Sequence, residues 1–313
     1  MIKYIFTIPA LVCFVLLLSI IAPEAYWMLD NLSSFLPQAA LGALACALIA
    51  PAVKAYGPAI VLAGYASIFG YVSYTAHSAE QGSLTEDYTV LHWNALYLNN
   101  DLSAFAEHVS ASELPDLIQI QEFSLAHMQS VESLTSLYPH YKLYPEATAA
   151  SQGAAIFSRH PITEHTAFAL GENGYEFVLS TIIQKEGRAP LGVLSLHTKA
   201  PVDENWIQAR NTSLNDIIPH LKSLKSKAEH TVLLGDLNIA PYSSVFKSFL
   251  KDAELKATTE LFNTETWPAY APRYMRTQID HVLTGDNIKT SLSVLEKGFG
   301  SDHLPIKAKL TLN

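Results

Sequence analysis

Three long uncharged stretches crowd the first quarter of this 313-residue chain, and they limit its architecture more than any other feature. Residues 4–22, 35–53 and 55–76 contain no Asp, Glu, Lys or Arg. Each is close to the roughly 20 residues a helix needs to cross about 30 Å of hydrocarbon. A cleaved leader would account for the first, because Lys3 precedes an apolar run that ends near Ala22 and Ala25. It does not account for the two that follow, so residues 1–76 are read as a membrane anchor of about three transmembrane helices. Pro37, Pro51 and Pro58 fall near the ends of the second and third stretches, where proline disturbs a helix least. Lys3 and Lys54 flank the spans on one side, Glu24 and Asp30 on the other. The positive-inside rule then puts the N-terminus in the cytoplasm and everything after residue 76 on the extracytoplasmic side.

Residues 77–87 turn polar and small and read as a linker. Residues 88–313 read as the soluble domain. Both cysteines, Cys13 and Cys46, lie in the apolar stretches, so the domain has no thiol nucleophile and no cysteine-ligated zinc. Setting aside Lys3, Lys54, Glu24 and Asp30, the rest of the chain holds 18 basic and 27 acidic residues, the same net −9 as the whole. That balance argues against tight, general nucleic-acid binding, which calls for a basic face.

After the linker, apolar β-rich runs alternate with amphipathic ones. Strands are predicted at 88–93, 117–121, 153–158, 177–184, 191–197, 231–235, 279–283 and 291–296. Helices are predicted at 102–112, 124–137, 205–224 and 243–252, the last capped by Ser243 or Ser244. Many short buried strands interleaved with helices suggest sheet packed on sheet with helices outside.

Groups able to do chemistry collect at the ends of these apolar runs: Asn94, Glu122, His197, Asp236 with Asn238, Asp280 with His281, and Asp302 with His303. Singly, each has an ordinary explanation, as a turn amide, a solvated carboxylate or a satisfied histidine. Together they form a constellation that structure alone does not require. Hard oxygen donors of this kind suit Mg²⁺ or Mn²⁺ better than zinc. In an extended segment the i, i+2 spacing of Asp236 and Asn238 sends both side chains to the same side.

In order, spacing and flanking residues, the set resembles the endonuclease/exonuclease/phosphatase family, which includes pancreatic-type deoxyribonuclease, abasic-site endonucleases, neutral sphingomyelinases and inositol-polyphosphate phosphatases. The most specific elements are Gln121-Glu122, Gly235-Asp236-Leu237-Asn238 and Ser301-Asp302-His303-Leu304-Pro305; Ile279-Asp280-His281, Leu196-His197-Thr198-Lys199-Ala200-Pro201 and the run from Gly153 to Arg159 add support. The resemblance spans residues 89–309 and implies an α/β two-sheet sandwich flanked by helices, with the site at one edge of both sheets.

It also implies roles. Glu122 is the first metal ligand, with Asn94 beside it and Asp302 as a further ligand or an orienter. Asp236 orients and deprotonates the attacking water, and Asn238 donates to a phosphate oxygen. His303, held by Asp280, contacts the phosphate, and His197 assists the leaving oxygen. Arg159 is read as either a phosphate contact or a partner for a surface carboxylate, Arg210 and Asn211 as exposed-face residues, and Trp267-Pro268 as a small satellite core.

The expected activity is hydrolysis of phosphate esters, most simply as a phosphodiesterase or nuclease. A membrane-lipid phosphodiesterase or phosphatase is the second reading, since tethering raises effective concentration at a bilayer. A catalytically dead membrane binding module is the third. The expected partners are a nucleic acid or phospholipid substrate and the bilayer, no protein partner being implied, and the expected location is a bacterial inner membrane with the catalytic domain outside the cytoplasm.

Overall fold

The computed structural model describes residues 2–23, 26–78, 86–123, 127–144, 153–171 and 176–313. Most of the expected linker, residues 79–85, and the first three residues of the helix predicted at 124–137 lie outside them.

The N-terminal part is helical: α1 (Thr7–Ile21), α2 (Trp27–Leu32), α3 (Leu36–Ile49) and α4 (Tyr56–Thr75). Among the described residues, two stretches, Tyr4–Ile21 and Trp27–Val53, are long and apolar enough to cross a membrane. α4 has 20 residues, but four tyrosines and three glycines dilute its apolar character. All of α1, α3 and α4 share one small core through Cys13, Leu16, Leu36, Ala43, Ala47, Leu62 and Phe69, and Ala240 and Tyr242 of the following domain join it.

That domain is a sandwich of two six-stranded mixed sheets. β1 (Tyr88–Asn94), β2 (Leu117–Gln121), β3 (His140–Tyr144), β4 (Ala154–Ser158), β11 (Ile288–Val294) and β12 (Ile306–Leu312) form one, in the order β11-β12-β1-β2-β4-β3. β5 (Ile162–Leu170), β6 (Glu176–Ile183), β7 (Leu191–Leu196), β8 (His230–Asp236), β9 (Lys256–Ala257) and β10 (Asp280–Thr284) form the other, in the order β5-β6-β7-β8-β10-β9. Each sheet has one parallel pair at its centre, β1 with β2 and β7 with β8. The inner faces interlock through Val90, Leu117, Ile156, Leu179, Val193, Val232, Leu234, Val282, Ile306 and Ala308, the layered burial a sandwich requires.

Helices cover the outer faces. α7 (Glu204–Lys227) and α8 (Ser244–Ala253) pack Leu214, Ile217, Leu221, Phe246 and Phe249 on the second sheet. α5 (Ser103–Ala111) and the short α6 (Glu132–Leu137) pack Phe105, Val109 and Leu134 on the first. The N-caps are local: Asp203 accepts from the Trp206 amide at 2.9 Å, and Ser243 accepts from the Val245 amide at 3.1 Å. Among the described residues of the helix predicted at 124–137, the α-helix begins at Glu132, and the chain between 128 and 131 turns instead. Pro219 sits inside α7 without ending it, because the burial of Leu214, Ile217, Leu221 and Leu224 holds the helix across it.

Candidate active site

Strand direction decides which residues meet. The C-terminal ends of β1, β2, β7 and β8 and the N-terminal ends of β10 and β12 reach the same edge of the sandwich, and the turns that leave them carry the polar residues. Register supplies the neighbours: Asn94 pairs with Gln121, next to Glu122, and Asp236 pairs with Asp280. Across the two sheets the Asn94 side-chain N–H group bridges Glu122 Oε1 and Asp236 Oδ2, each at 3.1 Å. The other Glu122 oxygen accepts from the Tyr97 amide at 2.8 Å.

Two backbone devices make this convergence possible. Gly235 lies so close to β7 that a Cβ there would sit 1.8 Å from the Leu196 carbonyl oxygen, so no other residue fits without moving a strand. Glu122 and Asn238 then turn with φ of +55° and +50°, a left-handed conformation that re-aims each chain end into the site. Asn238 is held by its amide, which donates to Asp236 Oδ1 at 2.9 Å, and by its Nδ2, which donates to the Thr198 carbonyl at 2.9 Å. The second N–H of that amide group has no acceptor among the described residues.

Asp280 is fully engaged. Its Oδ2 accepts from His303 Nδ1 at 2.8 Å and from Thr266 Oγ1 at 2.5 Å, and its Oδ1 lies 3.1 Å from His92 Nε2. Burial works against the charges of this pair, yet each stabilises the other. The Asp280 carboxyl is held well below the usual carboxylate range by His303 and His92, and His303 is pushed up to about 10 by Asp280 and Asp236. His303 therefore carries its proton at neutral pH, with Nε2 turned toward Asp236 Oδ2 at 3.6 Å. Asp236 is pushed up to about 8, by burial first and by the Asp280 charge, with His303 opposing.

His197 stands across the site, its Nε2 3.8 Å from Asp236 and 3.9 Å from Glu122. Burial and then the His303 charge push it down to about 3, so it is a neutral imidazole. Asp302 accepts from Trp267 Nε1 at 3.0 Å through one oxygen, while the other is buried, accepts no hydrogen bond among the described residues and lies 4.0 Å from His303 Nε2. Glu122, His197, Asp236, Asn238, Asp302 and His303 all line one cavity of about 1290 Å³.

Three expectations need correction. Arg159 follows β4 at the end of the sheet remote from this edge, where Ser158 pairs with Leu117, and its guanidinium donates to the Leu114 carbonyl at 3.4 Å. It is not among the cavity residues. Arg210 is not an exposed-face residue either: it is completely buried and paired with Asp30 at 3.1 Å. Trp267, read as satellite core, lines the cavity and fixes Asp302.

Residues beyond the expected set complete the site. His92 and Thr266 hold Asp280, and Gln121 Oε1 accepts from the Asp236 amide at 2.7 Å. For His92 and Gln121 the signal in the sequence is a polar side chain inside an otherwise apolar run; Thr266 lies in a loop and carries none. A strand covered on both faces buries such a group only with a partner.

The model of the Endonuclease/Exonuclease/phosphatase family matches residues 91–303, well over half of the chain and from the strand that bears Asn94 to His303. The chain belongs to the endonuclease/exonuclease/phosphatase family. Its fold is similar to that of an endonuclease/exonuclease/phosphatase from Bacteroides vulgatus, with a TM-score of 0.61 and 17% identity over 72% of this chain and 99% of that one. It is also similar to a mannosyl-6-phosphatase from Bacteroides thetaiotaomicron, with a TM-score of 0.57 and 18% identity over 72% and 100%. The human nocturnin catalytic domain, solved with a bound sulfate anion, gives a TM-score of 0.55 and 18% identity over 72% and 94%. No curated protein matches the chain. At these identities the structures share the fold, and phosphoester hydrolysis is the activity that family membership supports.

A metal-compatible cluster is present: ligand atoms of Asp236, Asp280 and His303 lie within 4.8 Å of one another. Asp280 has no oxygen to spare, so the better cation seat lies on the other side of Asp236. There Glu122 and Asp236 share one amide N–H group between two carboxylates, and one Asp302 oxygen accepts no hydrogen bond among the described residues. Burial raises the Glu122 carboxyl above its ordinary range, the mark of a carboxylate short of positive charge. The donors fit a hard divalent cation.

Proposed function

We propose that this chain is a divalent-metal-dependent phosphodiesterase, tethered to a membrane by residues 1–76, whose catalytic domain over residues 88–313 works on the extracytoplasmic side. The observation that carries the reading is the bridge from Glu122 through Asn94 to Asp236, with the His303–Asp280 pair behind it. It joins a cation seat, a base and a positive charge in one cavity.

Glu122 and Asn94 would hold Mg²⁺ or Mn²⁺, with Asp302 as a further ligand or an orienter of the seat. A cation held there would neutralise charge on the phosphate and favour the ionised form of Asp236. Asp236 orients a water and takes its proton. His303 donates from Nε2 to a non-bridging phosphate oxygen, and Asp280 keeps it charged for that task. The free N–H of the Asn238 amide group adds a second donor. Neutral His197 donates a hydrogen bond toward the leaving oxygen, which stabilises charge as the ester bond breaks.

A second reading, in which the phosphoester belongs to a membrane lipid, is favoured by one feature. Asn31, Ser34 and Phe35 of the helical N-terminal part line the same cavity as the catalytic groups, beside exposed Val202 and Trp206. The two readings separate in one assay of the full-length protein on bis-p-nitrophenyl phosphate, plasmid DNA and sphingomyelin vesicles. Each substrate is tested with Mg²⁺, with Mn²⁺ and with EDTA. Hydrolysis that EDTA abolishes, and that Asp236→Asn also abolishes, is the expected result. Hydrolysis of vesicles and not of DNA selects the lipid reading, and no turnover with any ion leaves the inactive binding module.

A further inference from the structure

We propose that the helical N-terminal part supplies a working piece of the active site: Asp30 is a positioning residue for Asn238, acting through Arg210. Arg210 sits on α7 with no exposed surface. One arm donates to Asp30 Oδ2 at 3.1 Å, and the other donates to the Asn238 carbonyl at 3.1 Å and to Asn31 Oδ1 at 3.2 Å. Its Nε is taken by the side chain of Asn211 at 3.0 Å. Burial pulls the guanidinium down from its ordinary range and Asp30 opposes that pull, so the charge is kept by a carboxylate that the catalytic domain does not itself provide.

The second Asp30 oxygen reaches further along the same loop. Oδ1 accepts from Ser243 Oγ at 2.6 Å, and Ser243 is the N-cap of α8. A single carboxylate thus grips both ends of the segment that leaves β8: Asn238 through Arg210, and Ser243 directly. Asn238 is in the left-handed region, with φ +50°, and needs such support to keep its amide aimed. Of its restraints, the Asp236 and Thr198 bonds are internal to the catalytic edge, and the bond from Arg210 depends on the N-terminal part. Asn31 extends the contact by donating to the Pro201 carbonyl at 3.5 Å, on the loop that follows His197.

The inference rests on the hydrolytic reading above, and the test separates the two. Full-length protein in detergent micelles is assayed on bis-p-nitrophenyl phosphate as wild type, Asp30→Asn, Arg210→Met and the double variant D30L/R210M. Asp30→Asn keeps volume and removes the charge. We expect kcat to fall about 10- to 100-fold with KM changed less than about threefold, the cost of misplacing a reacting group by a fraction of an ångström to an ångström. The double variant exchanges the buried pair for apolar groups of similar size, which removes the unpaired charge each single variant leaves and recovers part of the thermal stability. Its kcat stays low because nothing then holds the Asn238 carbonyl. Recovery of kcat together with stability would reduce the pair to glue and overturn the proposal.

Amide exchange supplies a readout independent of turnover. In Asp30→Asn, exchange across residues 237–243 should rise at least about tenfold while the β1 and β2 amides hold. Unchanged exchange in that segment overturns the positioning role. A wild type without turnover would sink the hydrolytic reading and leave this arm to decide the inference.

Discussion

Gly235→Ala is the smallest change that tests whether the two sheet edges must meet as closely as they do. The added Cβ would lie 1.8 Å from the Leu196 carbonyl oxygen, 2.9 Å from its carbon and 3.1 Å from Gln121 Nε2. Contacts below 3.0 Å are not tolerated by a Cβ, so β7 and β8 must part by about 1.2 Å, the gap between 1.8 and 3.0 Å. The obstacle is backbone in a parallel pair and has no rotamer to escape into. His197 follows the end of β7 and Asp236 closes β8, so the strain separates the group beside the leaving oxygen from the base. A displacement of about 1 Å at reacting groups costs on the order of 100-fold in kcat. Overpacking adds about 1–3 kcal/mol of destabilisation. Gly192→Ala, near the start of β7, is the control. Its Cβ would meet the Leu224 and Thr231 side chains at 3.0 Å, contacts a side chain can relieve, and stability should drop slightly with kcat kept. The pair is measured by initial rates on bis-p-nitrophenyl phosphate and by thermal melts. A Gly235→Ala protein with near-normal kcat would refute the argument that this approach sets the catalytic geometry.

Two further outcomes follow from the charged groups. His303 is held up to about 10, so its protonated form is present below that pH and lost above it. Asp280→Asn removes the main charge that keeps it there, so the alkaline limb of kcat/KM should move to lower pH, with a loss of about 10- to 100-fold at pH 8; an unmoved limb would separate Asp280 from His303 function. Asp116, far from the cavity, accepts from the Thr89 amide at 2.7 Å and pairs with Lys185 at 2.9 Å and His160 at 2.6 Å. Burial opposes its charge, but these partners hold its carboxyl below the ordinary range, so its contribution is full above about pH 4 and fades as pH falls. Asp116→Asn should cost about 3 kcal/mol near neutral pH, less in acid, without changing kcat; equal melts at pH 7 would refute it.

The buried parts of the fold were legible because burial leaves a pattern. β1, β2, β4, β7, β8 and β10 are buried along their whole length and read as apolar runs. The strands that went unread differ in where they lie. β3 and β5 are sheet edges, and β5 is exposed at most positions, so Ile162–Leu170 carries almost no alternation. β9 has two residues, too few for any period. β12 does alternate, with Ile306, Ala308 and Leu310 inward and Lys307 and Lys309 less buried, but it follows the Ser-Asp-His-Leu-Pro motif directly and the motif drew the reading. Catalytic groups were legible because carboxylates and imidazoles after apolar runs have few structural uses. Their supports were not. Thr266 and Trp267 reach Asp280 and Asp302 from a loop whose path depends on the assembled sandwich. Arg210 looked like a surface residue because its partner, Asp30, lies 180 positions earlier in a segment read as part of the anchor.

That same long-range contact bears on how the chain crosses a bilayer, by an argument that does not use hydropathy. Asp30 and Asn31 bind Arg210, the Ser34 carbonyl accepts from Thr277 Oγ1 at 3.5 Å, and Gln38 donates to the Arg276 carbonyl at 2.8 Å. The connection between α1 and α3 therefore lies against the catalytic domain. After α4, the Ser78 amide donates to the Thr259 carbonyl at 2.9 Å, so that end lies there too. The turns at Ile2–Phe6 and Ala50–Val53 pack together at the other end of the bundle, next to Lys54. A chain whose residues 30 and 78 face one side, and whose residues 5 and 52 face the other, passes along the bundle three times. If the bundle lies in a bilayer, α4 is then obliged to cross it in spite of its tyrosines, and Lys3 and Lys54 fall at the end opposite the active site.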